Sequence, residues 1–530
     1  MKRPASWQDV CELDEILPGT GVAALVEGRQ VAIFRTTGGV FALDNADRAG
    51  GGANVLARGI VGDLGGEPVV ASPLYKHHYN LATGRCLENE EASVQAWPVR
   101  VREGRVEVAP RLDEAASRPD EAARPAPRRR LVLVGNGMAG MRALEELLAL
   151  APDRYDITVF GEEARGGYNR VALSGLLSGE ASFEDIVGHD AAWYERRGIR
   201  LLPGDPVVEI DRIRRVVKSR SGVECGYDRL LLATGSRPLA LDIPGHSLAG
   251  VRTFRDLADV EAMLEAAGRG GRAVVIGGGL LGVEAAVGLR KRGMDVTLVH
   301  NAASLLNRQL DAEAASLLRE TLEARGLTIL TGTRTAALLG DDHVRRVALE
   351  DGRLLDADLV VTAVGIRPNI ELARKAGLHC DRGILVDDTM QTFDPRIWAI
   401  GECVQHRNVT FGLVAPLWDQ ARVCAVHLAE FGTARYRAPL AAAQLKVTGV
   451  QVFSAGNLGE HAGSETIVLR DPARGIYKRL VLRNNRVEGA LLYGDVSDAG
   501  WYGELMRKGS DIAPLRETLL FGAPREEARR

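Results

Sequence analysis

The sequence has few cysteines, and none of them stand in a metal-binding spacing. Six cysteines occur in 530 residues, and no two of them form a C-x-x-C motif. Zinc sites and cysteine-held iron–sulfur clusters both depend on closely spaced thiolates. We therefore expect no metal site, and we interpret the six thiols as buried or surface cysteines without a chemical role.

An excess of one charge and long apolar runs are also absent. The net charge of −3 provides no basic surface for nucleic acid or for an anionic membrane. No apolar run is long enough to span a bilayer, and the first residues lack the hydrophobic core of a signal peptide. We expect a cytoplasmic protein whose partners include neither nucleic acid nor a membrane.

Glycine, by contrast, is abundant, and three glycines form a recognisable turn. An apolar strand pattern at 131–134 enters Gly135-Asn136-Gly137-Met138-Ala139-Gly140, and a helical pattern follows. Such a turn brings free backbone N–H groups and a positive helix end to one point, which suits a pyrophosphate. Gly135 allows the tight turn, Gly137 lets the phosphates approach, and Gly140 lets the helix press against the strand.

The surroundings of this turn predict a dinucleotide site. A second strand pattern leads to Glu162 and Glu163, and Glu162 lies twenty-two positions after Gly140, where an acid accepts hydrogen bonds from an adenosine ribose. The same strand–turn–helix pattern recurs over 273–289. The predicted contacts of this second turn are Gly277, Gly279, Leu280, Leu281 and Gly282. Two such folds predict two dinucleotides, and glycine-rich turns without a ligand are the alternative.

Three further segments are predicted to line the cofactors. The turns Ala233-Thr234-Gly235 and Gly365 follow buried strands and need small residues, because backbone there lies against a cofactor. Gly401-Glu402 ends another strand where many FAD enzymes have Gly-Asp, and we expect the Glu402 carboxylate to hold a ribityl hydroxyl. Val414 and Ala415 begin a helix whose N-terminus suits negative charge on a reduced flavin.

Two charged residues are candidates for the chemistry itself. Arg170 is placed to meet a phosphate or a flavin carbonyl, and a surface loop arginine is the alternative. Glu284 follows the second glycine turn at a buried helix start, where an unpaired carboxylate is costly. Contact with a nicotinamide carboxamide would explain Glu284, whereas a favourable charge at a helix N-terminus is the alternative.

The second dinucleotide is predicted to be NADH. Folds specific for NAD usually carry an acid at the tip of the second strand, and those specific for NADP carry an arginine nearby. The tip here is His300-Asn301, with Arg308 several residues further on and Lys291-Arg292 in the preceding helix. With neither feature at the tip, we prefer NADH over NADPH.

The first 109 residues predict a small β domain, because short alternating strands are separated by Gly-rich turns. The segments 41–45, 66–75 and 80–84 resemble the Rieske fold. In its cluster-bearing members, a C-x-H pair and a C-x-x-H pair hold two irons. The matching positions are Asn45, Asp47, Ser72 and Tyr75. None is a thiolate or an imidazole, so we expect no iron–sulfur cluster.

Together these motifs resemble the NAD(P)H-dependent siroheme nitrite reductase family. The resemblance is carried by GNGMAGMRALEEL, GGYNRVALS, LLLATGSRP, GGGLLGVEAA, AIGEC and GLVAPL, and by the N-terminal β domain. It implies FAD and NAD(P)H as cofactors, Rossmann-like domains of the pyridine nucleotide-disulfide oxidoreductase type, and hydride transfer from nicotinamide to flavin. The family's large subunit also has cysteine-rich iron–sulfur and siroheme modules, whose cysteines do not occur in this sequence.

The predicted fold class is α/β and β, in six segments. They are a Rieske-like domain without cluster ligands (1–109), a linker (110–128), the first part of an FAD-binding domain (129–249), an NAD(P)H-binding domain (250–372), the second part of the FAD-binding domain (373–430) and an α+β interface domain (431–530). Within the last segment, the sequence predicts strands over 446–452 and 466–470, a hairpin over 480–493 that turns at Asn484-Asn485, and helices over 501–508 and 512–521. This segment carries no ligand motif, and we interpret it as a docking or homodimer surface.

We predict an FAD-dependent NAD(P)H oxidoreductase that passes electrons to a separate siroheme nitrite reductase or molybdenum nitrate reductase component. An iron–sulfur module of that partner would receive them, and the N-terminal domain is expected to be a docking platform. No cysteine lies near the predicted flavin, so a thiol relay is excluded. The alternatives are an NADH-dependent reductase for a rubredoxin, ferredoxin or oxygenase, and a flavoprotein redox sensor that binds partners without rapid turnover.

Overall fold

A computed structural model describes residues 7–50, 52–109, 128–432, 434–438, 442–447, 450–459 and 461–523. The predicted linker, except Arg128, lies outside these residues. The first part, here called the N-terminal module (7–109), is built of short antiparallel sheets. Buried residues alternate with half-buried ones along Thr20–Val26, so one face of that strand packs on the core. The module's strands are Gln8–Glu12, Thr20–Val26, Arg29–Thr36, Gly39–Asp44, Ala46–Asp47, Ala53–Asn54, Ile60–Leu64, Glu67–Ala71, His78–Asn80, Ala96–Trp97, Val99–Arg102 and Arg105–Val108.

The first dinucleotide domain, which contains the first glycine turn, is built on a five-stranded parallel sheet. Its central strand, Arg129–Val134, pairs with Tyr155–Phe160 on one side and with Arg229–Leu232 on the other. Residues 131–134 are buried in succession, as expected for a parallel strand that is covered on both faces. The outer strands are Arg200–Leu202 and Ile397–Ala399, and the helices are Met138–Leu150, Leu173–Ser178, Phe183–Ile186, Ala191–Arg196, Glu371–Lys375 and Val414–Leu428.

Smaller antiparallel and mixed sheets complete this domain. They are formed by Val207–Asp211, Val216–Ser219 and Glu224–Gly226, by Ser236–Pro238 and Ile366–Pro368, and by Ile384–Leu385, Val404–His406 and Val409–Thr410. The pair of short strands that begin at Ser236 and Ile366 lies where the chain enters and leaves the next domain.

The second dinucleotide domain, which contains the second glycine turn, repeats the same architecture. Five parallel strands lie in the order Val251–Thr253, Leu359–Thr362, Arg272–Ile276, Asp295–Val299 and Thr328–Leu330. The helices are Leu257–Gly268, Leu280–Lys291 and Ala312–Ala324, and an antiparallel sheet adds Thr335–Gly340, Val344–Leu349 and Leu354–Asp356. The repeat places both glycine turns at the carboxyl end of a central strand.

The C-terminal domain (442–523) is an antiparallel sheet with a helix. Its elements are Ala442–Val447, Val450–Gly456, Glu465–Asp471, Ile476–Arg483, Arg486–Tyr493 and the helix Ala499–Lys508. The predicted hairpin turn is confirmed: Asn484 and Asn485 have φ values of 50° and 55°, which a two-residue hairpin requires.

Two local predictions in this domain are wrong. A single strand over 446–452 is instead the end of one strand and the start of its antiparallel partner. The predicted helix over 512–521 is two separate 3-10 turns, Ala513–Leu515 and Leu519–Phe521. The backbone N–H groups here donate three residues back, from Leu515 to Ile512 and from Thr518 to Leu515, whereas an α-helix needs donation four residues back.

The C-terminal domain packs against the helix Ala312–Ala324 of the second dinucleotide domain. The hydroxyl of Tyr477 donates to Asp311 over 2.7 Å, and the hydroxyls of Tyr493 and Thr321 lie 2.8 Å apart. Part of the predicted docking surface is therefore used within the chain. Over the ranges described above, no helix is both long and apolar enough to cross a membrane.

Candidate functional site

The first glycine turn leaves an open space in front of a helix. Gly135 has a φ of 106°, and a Cβ atom there would overlap the carbonyl oxygen of Ala233. A Cβ on Gly140 would lie 2.5 Å from the Gly135 carbonyl oxygen, so helix and strand touch at this point. A Cβ on Gly137 would meet no atom within 4 Å, and Gly137 caps the helix that begins with Met138. The turn therefore fits a pyrophosphate at the helix N-terminus.

The second glycine turn has the same geometry. A Cβ on Gly277 (φ 121°) would overlap the Ala363 carbonyl oxygen, and one on Gly282 would overlap the Gly277 carbonyl oxygen. A Cβ on Gly279 would meet open space. The helix begins directly after Gly279, with Leu280 and Leu281 as its first residues. Two equivalent cradles, each made by close backbone contacts around one open glycine, thus fit two dinucleotides.

The two acids after the second strand have different surroundings. Glu162 is exposed beside the first turn and makes no hydrogen bond or ion pair with another described residue. Glu163 accepts a hydrogen bond from Tyr168 over 2.6 Å and forms an ion pair with Arg170. Glu162 is therefore the acid that remains available for a ribose, and Glu163 serves the protein's own network.

Arg170 links the two dinucleotide domains. Besides its ion pair, its guanidinium donates to the backbone carbonyl of Arg255 over 3.2 Å. The neighbouring Tyr168 accepts a hydrogen bond from the Leu257 backbone over 3.0 Å. Arg255 and Leu257 lie at the start of the second domain's first helix, so Arg170 is a domain contact and not a free surface arginine.

Glu402 is the centre of the domain junction. Its Oε2 accepts a hydrogen bond from Ser236 over 2.8 Å and forms an ion pair with Arg255. Both charged side chains are about fifteen per cent exposed, so the pair is largely shielded from water. Its Oε1 receives no hydrogen bond from the described residues. The sequence did not indicate Arg255, because nothing in its local pattern marks it.

The Gly401 turn meets the first helix. Gly401 has a φ of 90°, and a Cβ there would lie 3.2 Å from the Cβ of Ala139. Its backbone N–H donates to the buried Gln420 over 2.7 Å, a partner that the sequence did not predict. Val414 and Ala415 open the helix Val414–Leu428, which has no side-chain cap and no acid in its first turn. Its N–H groups are therefore free to face negative charge.

The two crossing turns between the domains are held together. Thr234 Oγ1 donates to the Asn369 carbonyl over 2.8 Å, and the Asn369 side chain donates back to the Thr234 carbonyl over 2.9 Å. Gly235 and Gly365 both have positive φ values, 64° and 127°. The predicted turns thus lie side by side at the junction.

Glu284 is half-buried, and no other described residue pairs with its carboxyl group. It makes no hydrogen bond or ion pair with another described residue, and burial raises the pKa of its carboxyl to about 7. It lies one turn into the helix that follows the second glycine turn. A carboxyl that is kept partly neutral beside an open cradle is typical of a functional site.

At the tip of the second domain's second strand, a histidine side chain is hydrogen-bonded to the backbone. His300 Nδ1 accepts a hydrogen bond from the Gly278 backbone over 3.1 Å, and burial lowers the pKa of this imidazole. Lys291 pairs with Glu180 over 2.7 Å, and Arg292 donates to the Leu177 carbonyl over 2.7 Å, so both basic residues are used elsewhere.

The iron-ligand positions of the N-terminal module contain a hydrogen-bonded acid. Asp47 is fully buried and accepts hydrogen bonds from Ser72, from Tyr79 over 2.6 Å and from the Gly50 N–H over 3.0 Å. Burial by itself raises the pKa of Asp47, but these donors outweigh it and hold the pKa below its usual value. Within the described ranges, no three metal-ligating side chains are grouped. The donor set does not fit an iron–sulfur cluster.

Three known families match successive parts of the chain. Residues 129–424 match the pyridine nucleotide-disulphide oxidoreductase family. Residues 6–109 match the Rieske-like [2Fe-2S] domain, and residues 442–510 match the rubredoxin NAD+ reductase C-terminal domain.

Three relatives show how far the similarity extends. The chain is 45% identical to a nitrite reductase [NAD(P)H] of Bacillus subtilis, over 76% of this chain and 50% of that protein. It is 41% identical to the assimilatory nitrate reductase electron transfer subunit of the same organism, over 74% and 51%. The chain thus spans about half the length of the curated relatives it matches. Putidaredoxin reductase in its covalent complex with putidaredoxin superposes with a TM-score of 0.66 at 28% identity, over 74% of this chain and 99% of that one.

The predicted fold class and resemblance are confirmed by these matches. The match to 129–424 covers more than half of the chain and includes both glycine turns, the Glu402 junction and Glu284. The assignment of individual residues to cofactor atoms stays a prediction. The chain belongs to the pyridine nucleotide-disulphide oxidoreductase family.

Proposed function

We propose that this chain is an FAD-dependent NAD(P)H oxidoreductase that delivers electrons to a separate nitrite or nitrate reductase component. The observation that carries the proposal is the pair of equivalent glycine cradles, each open at a helix N-terminus, joined at one domain junction. FAD held there would supply the redox chemistry, namely hydride acceptance from NAD(P)H and release of electrons to an acceptor. The protein supplies binding, orientation and electrostatics.

The residues of the first domain have distinct tasks in this proposal. The backbone around Gly137 holds the FAD pyrophosphate, and Glu162 accepts hydrogen bonds from the adenosine ribose. Oε1 of Glu402 receives a ribityl hydroxyl. The uncapped helix start at Val414 stabilises negative charge on the reduced ring.

The second domain positions the nicotinamide. The backbone around Gly279 holds the pyrophosphate of the coenzyme. Glu284 contacts the carboxamide, and its raised pKa keeps part of the carboxyl in the neutral form, which donates a hydrogen bond to the carboxamide oxygen. NADH is the preferred coenzyme, because Lys291 and Arg292 are bonded away from the strand tip. Arg308 is exposed without an ion pair to a described residue, so it is the arginine available to a 2′-phosphate.

The acceptor is proposed from the relatives and from the chain's own donor set. A relative at 41% identity is named as the electron transfer subunit of an assimilatory nitrate reductase. In place of an iron ligand, the N-terminal module has the Asp47 carboxylate, to which protein hydroxyl groups already donate hydrogen bonds. We therefore propose that the module holds no cluster. The partner therefore supplies the metal centres. A cytoplasmic location follows from this assignment, and a homodimer stays a prediction.

A reductase for a rubredoxin or ferredoxin is the second candidate. It is favoured by the match of 442–510 to the rubredoxin NAD+ reductase C-terminal domain. The chemistry is the same, and only the acceptor differs. Identification of the natural acceptor decides between the two candidate functions.

Two measurements test the proposal. The purified chain is expected to be yellow, with one FAD per chain, and to oxidise NADH with ferricyanide as acceptor. Negligible turnover of the yellow protein would favour a redox sensor, and a colourless protein would contradict the proposal. Affinity capture from nitrate-grown cells is expected to recover a siroheme or molybdenum enzyme, whereas recovery of a rubredoxin or ferredoxin alone would favour the second candidate.

A further inference from the structure

One carboxylate forms ion pairs with arginines at the starts of three neighbouring strands. Glu430 follows the helix Val414–Leu428 with a φ of 63°, in the left-handed region where glycine usually ends a helix. It pairs with Arg129, with Arg154 over 2.6 Å and with Arg229 over 3.8 Å. These arginines stand at or next to the first residues of the central parallel strands of the first dinucleotide domain.

The N-terminal module docks at the same place. The side-chain amide of Gln30 donates to the Glu430 carboxylate over 3.2 Å. Two residues further on, Gly432 lies so close to the module that a Cβ on it would overlap the carbonyl oxygen of Ala23. The module therefore contacts the stretch that directly follows the helix.

Asn45 turns Gln30 towards this contact. The Asn45 amide donates to Gln30 Oε1 over 2.9 Å, and its own Oδ1 accepts from the Ala57 N–H over 2.9 Å. Because the oxygen of Gln30 faces Asn45, its nitrogen faces Glu430. Asn45 stands where cluster-bearing members of the fold have a cysteine ligand, and an iron-bound thiolate has no N–H to donate. The residue at this position, which is an iron ligand in those members, thus supports the docking contact here.

The docking site and the cofactor site lie at opposite ends of the first dinucleotide domain. The six-residue strand Arg129–Val134 extends about 20 Å, and the first glycine turn follows at its far end. The fifteen-residue helix Val414–Leu428 is about 22 Å long, and its uncapped start belongs to the cofactor end. An acceptor that reaches the flavin therefore approaches away from the module's docking contact.

We propose that the N-terminal module is a structural brace that lies off the electron path, docked through Asn45, Gln30 and Glu430. This replaces the expectation that the module is a docking platform for the acceptor. The inference holds whichever acceptor the protein serves.

The test uses full-length variants of Gln30, which is outside the cofactor site. Gln30→Ala removes the link, and Gln30→Glu places a second carboxylate against Glu430. Gln8→Ala is the matched control, because Gln8 bonds only the Leu25 carbonyl of the same module. Hydrogen exchange over 426–432 is expected to quicken about threefold in Gln30→Ala and in Gln30→Glu, because both variants lose the N–H donor to Glu430 and local opening there becomes easier. The control should match the wild type.

Electron transfer separates a brace from a relay. NADH-dependent reduction of ferricyanide and of a plant-type [2Fe–2S] ferredoxin is expected to stay within about twofold of wild type in all three variants, since no cofactor contact changes. A loss of ferredoxin reduction with retained FAD and ferricyanide activity would place the module on the path and overturn the proposal. Unchanged exchange over 426–432 would overturn the docking assignment. A wild type that oxidises no NADH would instead contradict the proposed function.

Discussion

Arg255 and Glu402 are 147 positions apart in the chain and form a shielded ion pair where the two dinucleotide domains meet. Glu402 lies in a 3-10 turn just after a strand of the first domain, and Arg255 lies two residues before the first helix of the second. The pair explains why glutamate stands where aspartate is usual in FAD enzymes. A carboxylate shorter by one methylene would not reach Ser236 and Arg255 together without movement of the backbone.

The first prediction concerns this pair. Glu402→Asp and Arg255→Lys are each expected to raise the KM for NADH about tenfold, because losing one charge-assisted bond costs about 1.5 kcal/mol. The double variant should be little worse than either single one, since the pair is already broken. Steady-state kinetics with ferricyanide measures this. Arg237→Lys is the control, because Arg237 and Glu371 form an exposed pair nearby. Additive effects in the double variant would contradict a direct coupling.

The glycine turns give a second prediction with a built-in contrast. Gly137→Ala meets open space in the protein, so we expect normal folding but FAD affinity reduced at least about tenfold, because the methyl group lies where the phosphates approach. Gly140→Ala strikes the Gly135 carbonyl and is expected to destabilise the domain by about 2 kcal/mol even without FAD. Thermal unfolding and flavin titration separate the two effects. Equal unfolding temperatures for both variants would show that the cradle is not as described.

Glu284 gives a prediction of pH dependence. Its carboxyl has a pKa of about 7 in the folded protein, so it is neutral below pH 7 and ionised above it. If the neutral form holds the carboxamide, the KM for NADH rises above pH 7 in the wild type but stays flat in Glu284→Gln. A wild-type profile that is flat from pH 6 to 8 would remove Glu284 from the nicotinamide site.

The same residue predicts a stability effect of known sign. Because burial raises the pKa of Glu284 above its unfolded value, the native state holds the proton more tightly, and stability is lost as pH rises through that range. Glu284→Gln should therefore raise the unfolding temperature by about 2–4 °C at pH 8, as expected for about 1 kcal/mol, and by less at pH 5. Calorimetry of the FAD-loaded protein checks this. A larger gain at pH 5 would have the wrong sign.

The acid in the N-terminal module predicts a structural role without activity. Asp47→Ala leaves the hydroxyls of Ser72 and Tyr79 without their buried acceptor and should cost the module about 2–4 kcal/mol. NADH turnover with ferricyanide should not change, because Asp47 is remote from both glycine turns. Iron analysis of the wild type should find no stoichiometric iron. Iron at two atoms per chain would contradict the assignment of this site.

Coenzyme preference gives the last prediction. Arg308→Ala should lower kcat/KM for NADPH about tenfold and leave NADH within about twofold, because only NADPH has a 2′-phosphate for this guanidinium. The ratio of the two kcat/KM values measures the effect. An equal loss for both coenzymes would mean that Arg308 supports the fold of the strand tip.

Both glycine turns and their flanking strands and helices were predictable from the sequence. Their determinants are local: apolar residues that are buried on both faces, and glycines at positions where a side chain would strike backbone. The hairpin at Asn484-Asn485 was predictable for the same reason, since two adjacent left-handed residues favour it. The wrong strand over 446–452 and the wrong helix over 512–521 share a cause. The apolar residues in each segment were clear from the sequence, but the sequence did not show where one element ends and the next begins.

The sequence by itself determined two dinucleotide folds, an N-terminal module without iron ligands, and the residue types at each strand end. These follow from spacing and side-chain chemistry within about thirty residues, the length of one βαβ unit. Only the tertiary structure decided the partners of Glu402, Gln30 and Glu430, because Arg255, Asn45 and the strand-start arginines approach them from distant segments. It also decided that the module sits at the end of the sheet remote from the first glycine turn. Which edge of a domain another domain covers depends on surface contacts, and no local pattern records them.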